Sequence, residues 1–256
     1  MDETANDDRA AAHNGSPFSW VPSRLAQRVQ SERYARVELE GEGLVGPVAP
    51  GQFVLVRYGE DPCLPRAFSV MKADPDRLEL FVKSEGRVRE KLSQAPIGTP
   101  FEVRGPYGVS YDAIISDERP YVLVAGGSGI APMLCFADRY PSRVAGAVFG
   151  FRTADACDVL PNIPLVIEEV TGQRATDRLR SVWKPGLGIL ACGPEPMLRI
   201  LARDYAGAPD VYVSLEARVG CGIGTCLGCR IETAKGPKRI CAEGPLFPLE
   251  DLPWLT

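Results

Sequence analysis

The feature that most constrains this chain is a group of four cysteines close to its C-terminus. Cys221, Cys226 and Cys229 form a C-x4-C-x2-C arrangement, and Cys241 follows after eleven intervening residues. This spacing is typical of plant-type 2Fe–2S clusters. The glycines between the first three cysteines allow a tight loop whose backbone N–H groups turn toward the sulfurs. The sequence therefore predicts that these four cysteines ligate a 2Fe–2S cluster.

A structural zinc site is the alternative, because zinc is also bound by four cysteines. Zinc sites usually contain two C-x2-C pairs, whereas here only Cys226 and Cys229 are separated by two residues. The spacing favours iron–sulfur, and zinc stays open as the second interpretation.

Composition excludes several classes of partner. The net charge is −4, from 29 basic and 33 acidic residues, which gives no basic surface for nucleic acid. No apolar run reaches the ~20 residues that a membrane-spanning helix needs. The first sixteen residues lack the apolar core of a signal peptide, and eight cysteines without one indicate a reducing compartment. We expect a cytoplasmic protein that binds neither nucleic acid nor membrane.

The histidine content narrows the chemistry further. His13 is the only histidine of the sequence, and it lies in the polar N-terminal segment. The folded part therefore has no imidazole to act as general base, which excludes histidine-dependent hydrolysis. Hydride and electron transfer on bound cofactors need no positioned imidazole and remain open.

Apolar patterning divides the chain into parts of different fold class. Short segments separated by Gly and Pro predict an antiparallel barrel, whereas the continuous apolar run Tyr121–Ala125 predicts a buried parallel strand. Alternating strands and helices after it predict a doubly wound parallel sheet. The predicted parts are a disordered tail at 1–16, a β-barrel at 17–116, an α/β domain at 117–215 and a cysteine lobe at 216–256.

Individual elements are predicted as follows. Strands are expected at Tyr34–Glu40, Gln52–Tyr58, Ala67–Met71, Leu78–Lys83, Phe101–Val103, Tyr121–Ala125, Val144–Phe149, Leu165–Ile167, Leu187–Ala191 and Val211–Leu215. Helices are expected at Arg87–Gln94, Met133–Tyr140 and Pro196–Tyr205.

A glycine loop follows the first parallel strand. The segment Gly126-Gly-Ser-Gly-Ile-Ala-Pro132 leads into a predicted helix, and Pro132 suits the first position of that helix. Helix N-termini bind anions, so a pyrophosphate could lie there. A simple tight turn is the alternative interpretation, because the segment lacks the G-x-G-x-x-G fingerprint.

Two more motifs lie at the ends of predicted strands. In Arg66-Ala-Phe-Ser69, a guanidinium can bind phosphate while the phenylalanine offers a flat face to a ring; a surface arginine beside a core phenylalanine is the alternative. Cys192-Gly-Pro194 places a small side chain and bare backbone at the mouth of the sheet, unless Cys192 is simply an inert buried thiol.

Taken in order, these motifs resemble a known superfamily. R-x-F-S, then G-G-x-G-I-x-P, then C-G-P-x-P-M are similar to the pattern of the ferredoxin–NADP reductases. With the segment from Glu216-Ala-Arg218 to Phe247, the chain resembles the electron-transfer subunits of the two-subunit, NAD-dependent dihydroorotate dehydrogenases. The resemblance covers roughly residues 30–250, and its cysteine segment is the most specific part.

The resemblance implies an electron relay. NADH would dock on the α/β domain and pass hydride to FAD held by the barrel, and the flavin would release single electrons to the 2Fe–2S cluster. The cluster would pass them to FMN in a separate catalytic subunit that oxidises dihydroorotate to orotate in pyrimidine biosynthesis. The implied assembly is a heterotetramer with two copies of each subunit.

The resemblance also implies site residues. Those implied for FAD are Arg66, Ala67, Phe68, Ser69, Val82, Lys83, Gly86, Arg87 and Val88. Those implied for the nicotinamide nucleotide are Gly126, Gly127, Gly129 and Ile130, with Cys192, Gly193 and Pro194 near its ring. The family carries a Gly-Thr pair after its fifth barrel strand, but the segment Lys83–Arg89 has no threonine, so we expect Arg87 or Arg89 to contact the FAD phosphates.

A second departure keeps other functions open. The segment Thr171–Leu179 replaces the family's D-G-S-x-G-x-x-G stretch and is closer to general flavin reductases. One alternative is therefore a reductase subunit of a hydrogenase or another flavoenzyme complex. A zinc-stabilised binding module on a degenerate reductase scaffold is an alternative of another class. Arg152 and Arg174 could favour the 2′-phosphate of NADP or could simply be solvated, so nucleotide preference also stays open.

Overall fold

The structure is a computed structural model that describes residues 18–59, 65–115, 118–160 and 162–255. The predicted disordered tail at 1–16 lies outside the described residues. Six antiparallel strands of the described chain close into a barrel in the order β1-β2-β5-β4-β3-β6, which confirms the predicted barrel. They are β1 (Val21–Gln30), β2 (Tyr34–Glu40), β3 (Phe53–Arg57), β4 (Arg66–Asp74), β5 (Arg77–Lys83) and β6 (Pro100–Tyr107). Helix α1 (Arg87–Gln94) lies between β5 and β6 in the chain.

Alternation of side chains explains the barrel. Along β2, Val37 and Leu39 are buried in the interior, while Arg36, Glu38 and Glu40, which alternate with them, are more exposed. The same alternation in β6 places Phe101 and Val103 inside and Glu102 and Arg104 outside. The apolar side chains of the interior form one core, which α1 extends through Val88 and Leu92.

The second part is an α/β layer. Its parallel strands are β7 (Tyr121–Gly126), β8 (Val144–Phe151), β9 (Leu165–Ile167), β10 (Gly188–Cys192) and β11 (Val211–Ser214). Its helices are α2 (Ile130–Arg139), α3 (Ala156–Val159), α4 (Glu168–Thr171), α5 (Ala175–Val182) and α6 (Glu195–Asp204). Within the described chain the strand order is β11-β10-β7-β8-β9, so the chain reverses its winding direction between β7 and β10. This is the predicted doubly wound sheet.

One helix begins earlier than predicted. The predicted start at Met133 is wrong, because α2 begins at Ile130 directly after a short 3₁₀ turn at Gly127–Gly129. Pro132 therefore takes the third helical position rather than the first, where its missing N–H is still outside the intrahelical hydrogen bonds. The glycine loop therefore leads directly into the first turn of α2.

The cysteine lobe is attached to the sheet. It contains the hairpin of β12 (Arg230–Thr233) and β13 (Gly236–Arg239), helix α7 (Ile240–Glu243) and β14 (Leu246–Pro248). Strand β14 pairs antiparallel with β11, which the sequence did not predict. Short 3₁₀ turns complete the described elements at Tyr111–Ala113, Pro141–Arg143, Leu249–Asp251 and Pro253–Leu255.

Barrel and sheet meet through a polar contact and an aromatic one. Asp155 of the α/β layer accepts hydrogen bonds from the Ser31 hydroxyl at 2.8 Å and the Arg33 backbone N–H at 2.9 Å. Beside it, the ring of Tyr34 packs edge-on against Phe151, with 5.2 Å between centroids. These contacts fix the two parts relative to each other. Among the described residues, none of the helices has the length and apolarity that crossing a bilayer requires.

Candidate functional site

The loops at the carboxyl ends of β7 and β10 pack closely against each other through backbone atoms of glycines. A Cβ atom at Gly129 would lie 2.2 Å from the carbonyl oxygen of Cys192, and one at Gly193 would lie 2.9 Å from the backbone N of Gly126. Side chains at these glycines would therefore push the two loops apart. This is the switch point of the doubly wound sheet, where such sheets bind ligands.

An open cleft lies beside the switch point, between the barrel, the sheet and the cysteine lobe. Residues implied for the flavin and nucleotide sites contribute to its wall, namely Ala67, Phe68, Ser69, Val82, Lys83 and Cys192. Arg89, expected as an alternative phosphate partner, also lines the cleft, and its guanidinium carbon lies 6.0 Å from the Phe68 ring centroid. The cleft thus brings together residues from separate motifs.

The other implied residues lie around the cleft rather than in its wall. Arg66 is exposed at the start of β4, and Gly86 and Arg87 are exposed at the start of α1. The side chains of Val88 and Ile130 are buried in the barrel core and the sheet core, respectively. At Val88 and Ile130, therefore, only backbone atoms could contact a ligand. The remaining implied residues, Gly126, Gly127, Gly129, Gly193 and Pro194, form the turns of the switch point. Their roles in binding stay predictions.

The wall also contains residues that sequence reasoning did not assign to a site: Phe53, Phe81, Ser128, Ala131, Ser214, Leu215, Glu216, Ala217, Val219, Ile240 and Pro245. Ser128 belongs to the glycine loop, and Glu216 begins the segment that leads to the four cysteines. Nothing in the linear sequence shows that these two side chains meet. In the structure the Ser128 hydroxyl donates to Glu216 Oε1 at 3.1 Å. Because Glu216 follows β11 and Ser128 follows β7, both lie at the carboxyl ends of parallel strands, and this position could have marked them as site residues.

Two titratable groups of the cleft are held toward their neutral forms. Part of the Glu216 surface is exposed in the cleft, yet desolvation by the surrounding protein raises the pKa of its carboxyl, against the lowering effects of Ser128, Arg89 and Lys83. Burial raises the pKa of the Cys192 thiol well above its usual 9.0, and Glu216 raises it further. Cys192 is therefore a neutral thiol and not an activated nucleophile.

The four predicted ligand cysteines lie in one lobe at different depths. Cys229 and Cys241 are buried, Cys221 is partly buried and Cys226 is exposed. The Gly224 N–H donates to the Cys241 sulfur at 3.2 Å, and the Cys241 N–H donates to the Cys229 sulfur at 3.4 Å. Backbone donors therefore point at sulfur, as expected for a loop that stabilises thiolates.

The thiols differ in acidity. Burial alone would raise the pKa of Cys221, but hydrogen bonds from the backbone of Cys226 and Ile223 and from the Thr225 side chain outweigh it and lower that pKa to about 6. Burial and the hydrogen bond with Cys229 raise the pKa of Cys241 to about 12. Of these two thiols, Cys221 is the closer to the thiolate form that binds metal.

The donor set fits an iron–sulfur group, although the sulfurs meet in pairs. Cys221 is hydrogen-bonded to Cys226, and Cys241 to Cys229. Within the described ranges, no three His, Cys, Asp or Glu side chains surround a common point at the distances of a single metal ion. Four soft sulfur donors, with backbone N–H groups directed at three of them, match the requirements of a 2Fe–2S cluster.

Comparison with known proteins gives the same assignment for the lobe and for the whole chain. Residues 216–253 match the family described as the iron–sulfur cluster binding domain of dihydroorotate dehydrogenase B. The dihydroorotate dehydrogenase B (NAD+) electron transfer subunit of Geobacillus kaustophilus is 32% identical over 244 residues, which is 87% of this chain and 93% of the relative. That of Geobacillus thermodenitrificans is 31% identical over 245 residues, covering 87% and 94%.

Solved structures share the fold. An NADH-dependent reduced ferredoxin–NADP oxidoreductase studied for flavin-based electron bifurcation superposes with a TM-score of 0.74, at 23% identity, over 93% of this chain and 91% of its own. The cytochrome b5 reductase domain of Ulva prolifera nitrate reductase gives a TM-score of 0.58 at 18% identity, over 77% and 98%. The fold is thus shared with other reductases, while the more similar sequences share one name. The chain belongs to the family of dihydroorotate dehydrogenase B (NAD+) electron transfer subunits.

Proposed function

We propose that this protein is the electron-transfer subunit of a dihydroorotate dehydrogenase and relays electrons between NAD(H) and a catalytic partner subunit. The observation that carries the proposal is the cleft, because its wall combines barrel residues, switch-point residues and the segment leading to the cysteine loop. Family membership supports FAD, a 2Fe–2S cluster and NAD(H) as the cofactors.

The barrel side of the cleft would hold the flavin. Phe68 offers a ring face, Ser69 a hydroxyl and Arg89 a positive charge for the phosphates, while Lys83 beside them is ion-paired with Glu85 at 2.6 Å. When bound, FAD supplies conversion between two-electron and one-electron transfer. The aromatic and apolar walls of Phe53 and Phe81 would exclude water from this side.

The switch point would hold the nicotinamide nucleotide. Gly126, Gly127 and Gly129 present backbone without side chains before α2, which suits the close approach of a pyrophosphate. Cys192 adds a small neutral thiol at the mouth of the sheet. The curated relatives are named for NAD+, so NAD(H) rather than NADP(H) is the proposed nucleotide.

The cysteine loop would hold the cluster through Cys221, Cys226, Cys229 and Cys241. Exposure of Cys226, together with the exposed Leu227 and Ile223, places one edge of the loop at the protein surface. Electrons could leave there for the partner. We propose that the partner is an FMN-containing catalytic subunit, that two copies of each subunit assemble, and that the complex works in the cytoplasm in pyrimidine biosynthesis.

Affinity purification of the tagged chain from its own organism tests the proposal. We expect a yellow-brown protein with flavin absorbance, an EPR signal of a reduced 2Fe–2S cluster, and a co-purified subunit that oxidises dihydroorotate with NAD+ as acceptor. NADP+ in place of NAD+ is the matched comparison for the nucleotide. Co-purification of a hydrogenase or another flavoenzyme would overturn the partner assignment. Colourless protein with stoichiometric zinc would overturn the relay itself.

A further inference from the structure

Arg104 connects the barrel to the cysteine loop. It lies on the outer face of β6, and its Nη2 donates a hydrogen bond to the backbone carbonyl of Cys221 at 3.1 Å. Cys221 is the first of the four cysteines and the entry to the loop. A side chain from the barrel therefore holds the backbone at the point where the loop begins.

Two aromatic rings fix the guanidinium in place. Its central carbon lies 4.7 Å from the centroid of the Trp20 ring and 5.8 Å from that of Tyr107. Arginine suits such stacking because its planar charge is weakly hydrated. The Nε–H of Arg104 is buried without an acceptor among the described residues. The cation is thus partly desolvated, and its field is screened less than that of a surface arginine.

Charge balance separates Arg104 from two neighbouring arginines. Arg57 also stacks on Trp20, at 4.3 Å, but Glu102 neutralises it through hydrogen bonds of 2.6 and 2.9 Å. Arg239 reaches the Gly224 carbonyl of the same loop at 3.4 Å, but it is ion-paired with Glu243. Arg104 has no carboxylate within ion-pair distance in the part of the chain that the structure describes. It is the uncompensated positive charge of the three.

We propose that Arg104 is a positioning residue that holds the cysteine loop against the barrel and raises the reduction potential of the cluster bound there. The inference rests on the proposed function. Reduction adds one negative charge to the group held by the four cysteines, and a nearby cation without a counter-ion stabilises that charge. Removal of the cation favours the oxidised form.

The test is an EPR-monitored redox titration of the purified holoprotein with Arg104→Gln, Arg104→Lys and Arg57→Gln. We expect Arg104→Gln to lower the equilibrium constant for one-electron reduction of the cluster about tenfold, which equals 59 mV. Arg104→Lys keeps the charge and should stay within twofold of the wild type, as should Arg57→Gln. A purely structural role would lower iron content and leave the potential of the remaining clusters unchanged. An unchanged potential in Arg104→Gln, or an equal shift in Arg57→Gln, would overturn the inference.

A second pair of variants tests the inference if Arg104→Gln does not retain its cluster. Trp20→Glu places a carboxylate beside Arg104, whereas Trp20→Gln makes a similar change without charge. The glutamate variant should have the lower potential of the two, by several-fold in the same equilibrium constant, and equal potentials would overturn the inference. Failure of the proposed function gives a different result, because the wild type would then show no 2Fe–2S EPR signal.

Discussion

Gly222 of the cysteine loop lies against the ring of Tyr107 on the barrel. A Cβ atom at position 222 would lie 2.8 Å from ring atoms Cδ2 and Cε2, and the φ angle of Gly222 is 80°. The Tyr107 ring also lies 6.0 Å from that of Phe53, which lines the cleft. Tyr107 therefore contacts both the cysteine loop and a residue of the cleft wall, so one side chain links the two parts of the site.

Gly222→Ala should displace the loop. The positive φ costs about 1–2 kcal/mol for a residue with a Cβ, and the contact with Tyr107 adds about 1–3 kcal/mol. We expect at least half of the iron to be lost while bound flavin is kept, as measured by iron analysis and flavin absorbance. Gly228→Ala is the matched control, because a Cβ there meets only the Cys226 sulfur at an ordinary 3.6 Å. Wild-type iron content in Gly222→Ala would contradict the tight packing.

Cys226→Ser should separate the two halves of the relay. Cys226 is exposed at the loop edge, and serine is a harder, weaker ligand for iron than cysteine. The cluster should be weakened or lost, whereas reduction of FAD by NADH should stay within about twofold, since the cleft residues are untouched. Stopped-flow flavin absorbance and EPR measure the two events. Cys157→Ser, at another exposed cysteine, is the control, and a Cys226→Ser protein that cannot reduce its flavin would refute the separation.

Gly129→Ala should impair the nucleotide site. A Cβ atom there would overlap the Cys192 carbonyl at 2.2 Å, so the β7 and β10 turns would have to move apart. We expect kcat/KM for NADH-dependent flavin reduction to fall at least tenfold, about 1.4 kcal/mol of transition-state stabilisation. Gly127→Ala is the comparison within the loop, because the space around it is open and only its φ of 55° opposes a side chain. A smaller loss in Gly129→Ala than in Gly127→Ala would contradict the argument.

Local patterns predicted much of the fold. Tyr34–Glu40 and Leu165–Ile167 are strands with the predicted bounds, and Arg87–Gln94 is a helix with the predicted bounds. Each is visible in its own residues, as alternation, an apolar run or helical spacing. By contrast, β1 (Val21–Gln30) was not predicted, because Pro22, Ser23 and four further polar residues mask its alternation. Its pairing with both β2 and β6, which closes the barrel, is a tertiary effect.

The candidate site divides in the same way. The spacing of the cysteines and the glycines at the strand ends can be read directly from the sequence. The cysteines predicted the metal-binding loop, and the glycines predicted the switch point. The meeting of Ser128 with Glu216, 88 residues apart, depends on β7 and β11 ending at one edge of the sheet. The antiparallel pairing of β14 with β11, which carries the cysteine lobe back to that edge, involves only three residues and leaves no periodic signal.

Asp155→Asn should weaken the contact between barrel and sheet in a pH-dependent manner. Besides Ser31 and Arg33, Thr153 donates to Asp155 at 2.6 Å. Burial alone would raise the pKa of this carboxyl, but these three donors outweigh burial and lower the pKa below its usual 3.8. A carboxyl with a lowered folded-state pKa stabilises the fold above its unfolded-state pKa, and the stabilisation disappears as pH falls through the folded-state pKa.

We expect Asp155→Asn to lower the free energy of unfolding by about 1–3 kcal/mol at pH 7 and by much less near pH 3. Urea unfolding at both pH values measures the difference. Asp158→Asn, at an exposed position of helix α3 directly after Asp155, should cost less than about 0.5 kcal/mol at either pH. An equal loss of stability in Asp155→Asn at pH 7 and pH 3 would show that the charge of Asp155 contributes nothing to the domain contact.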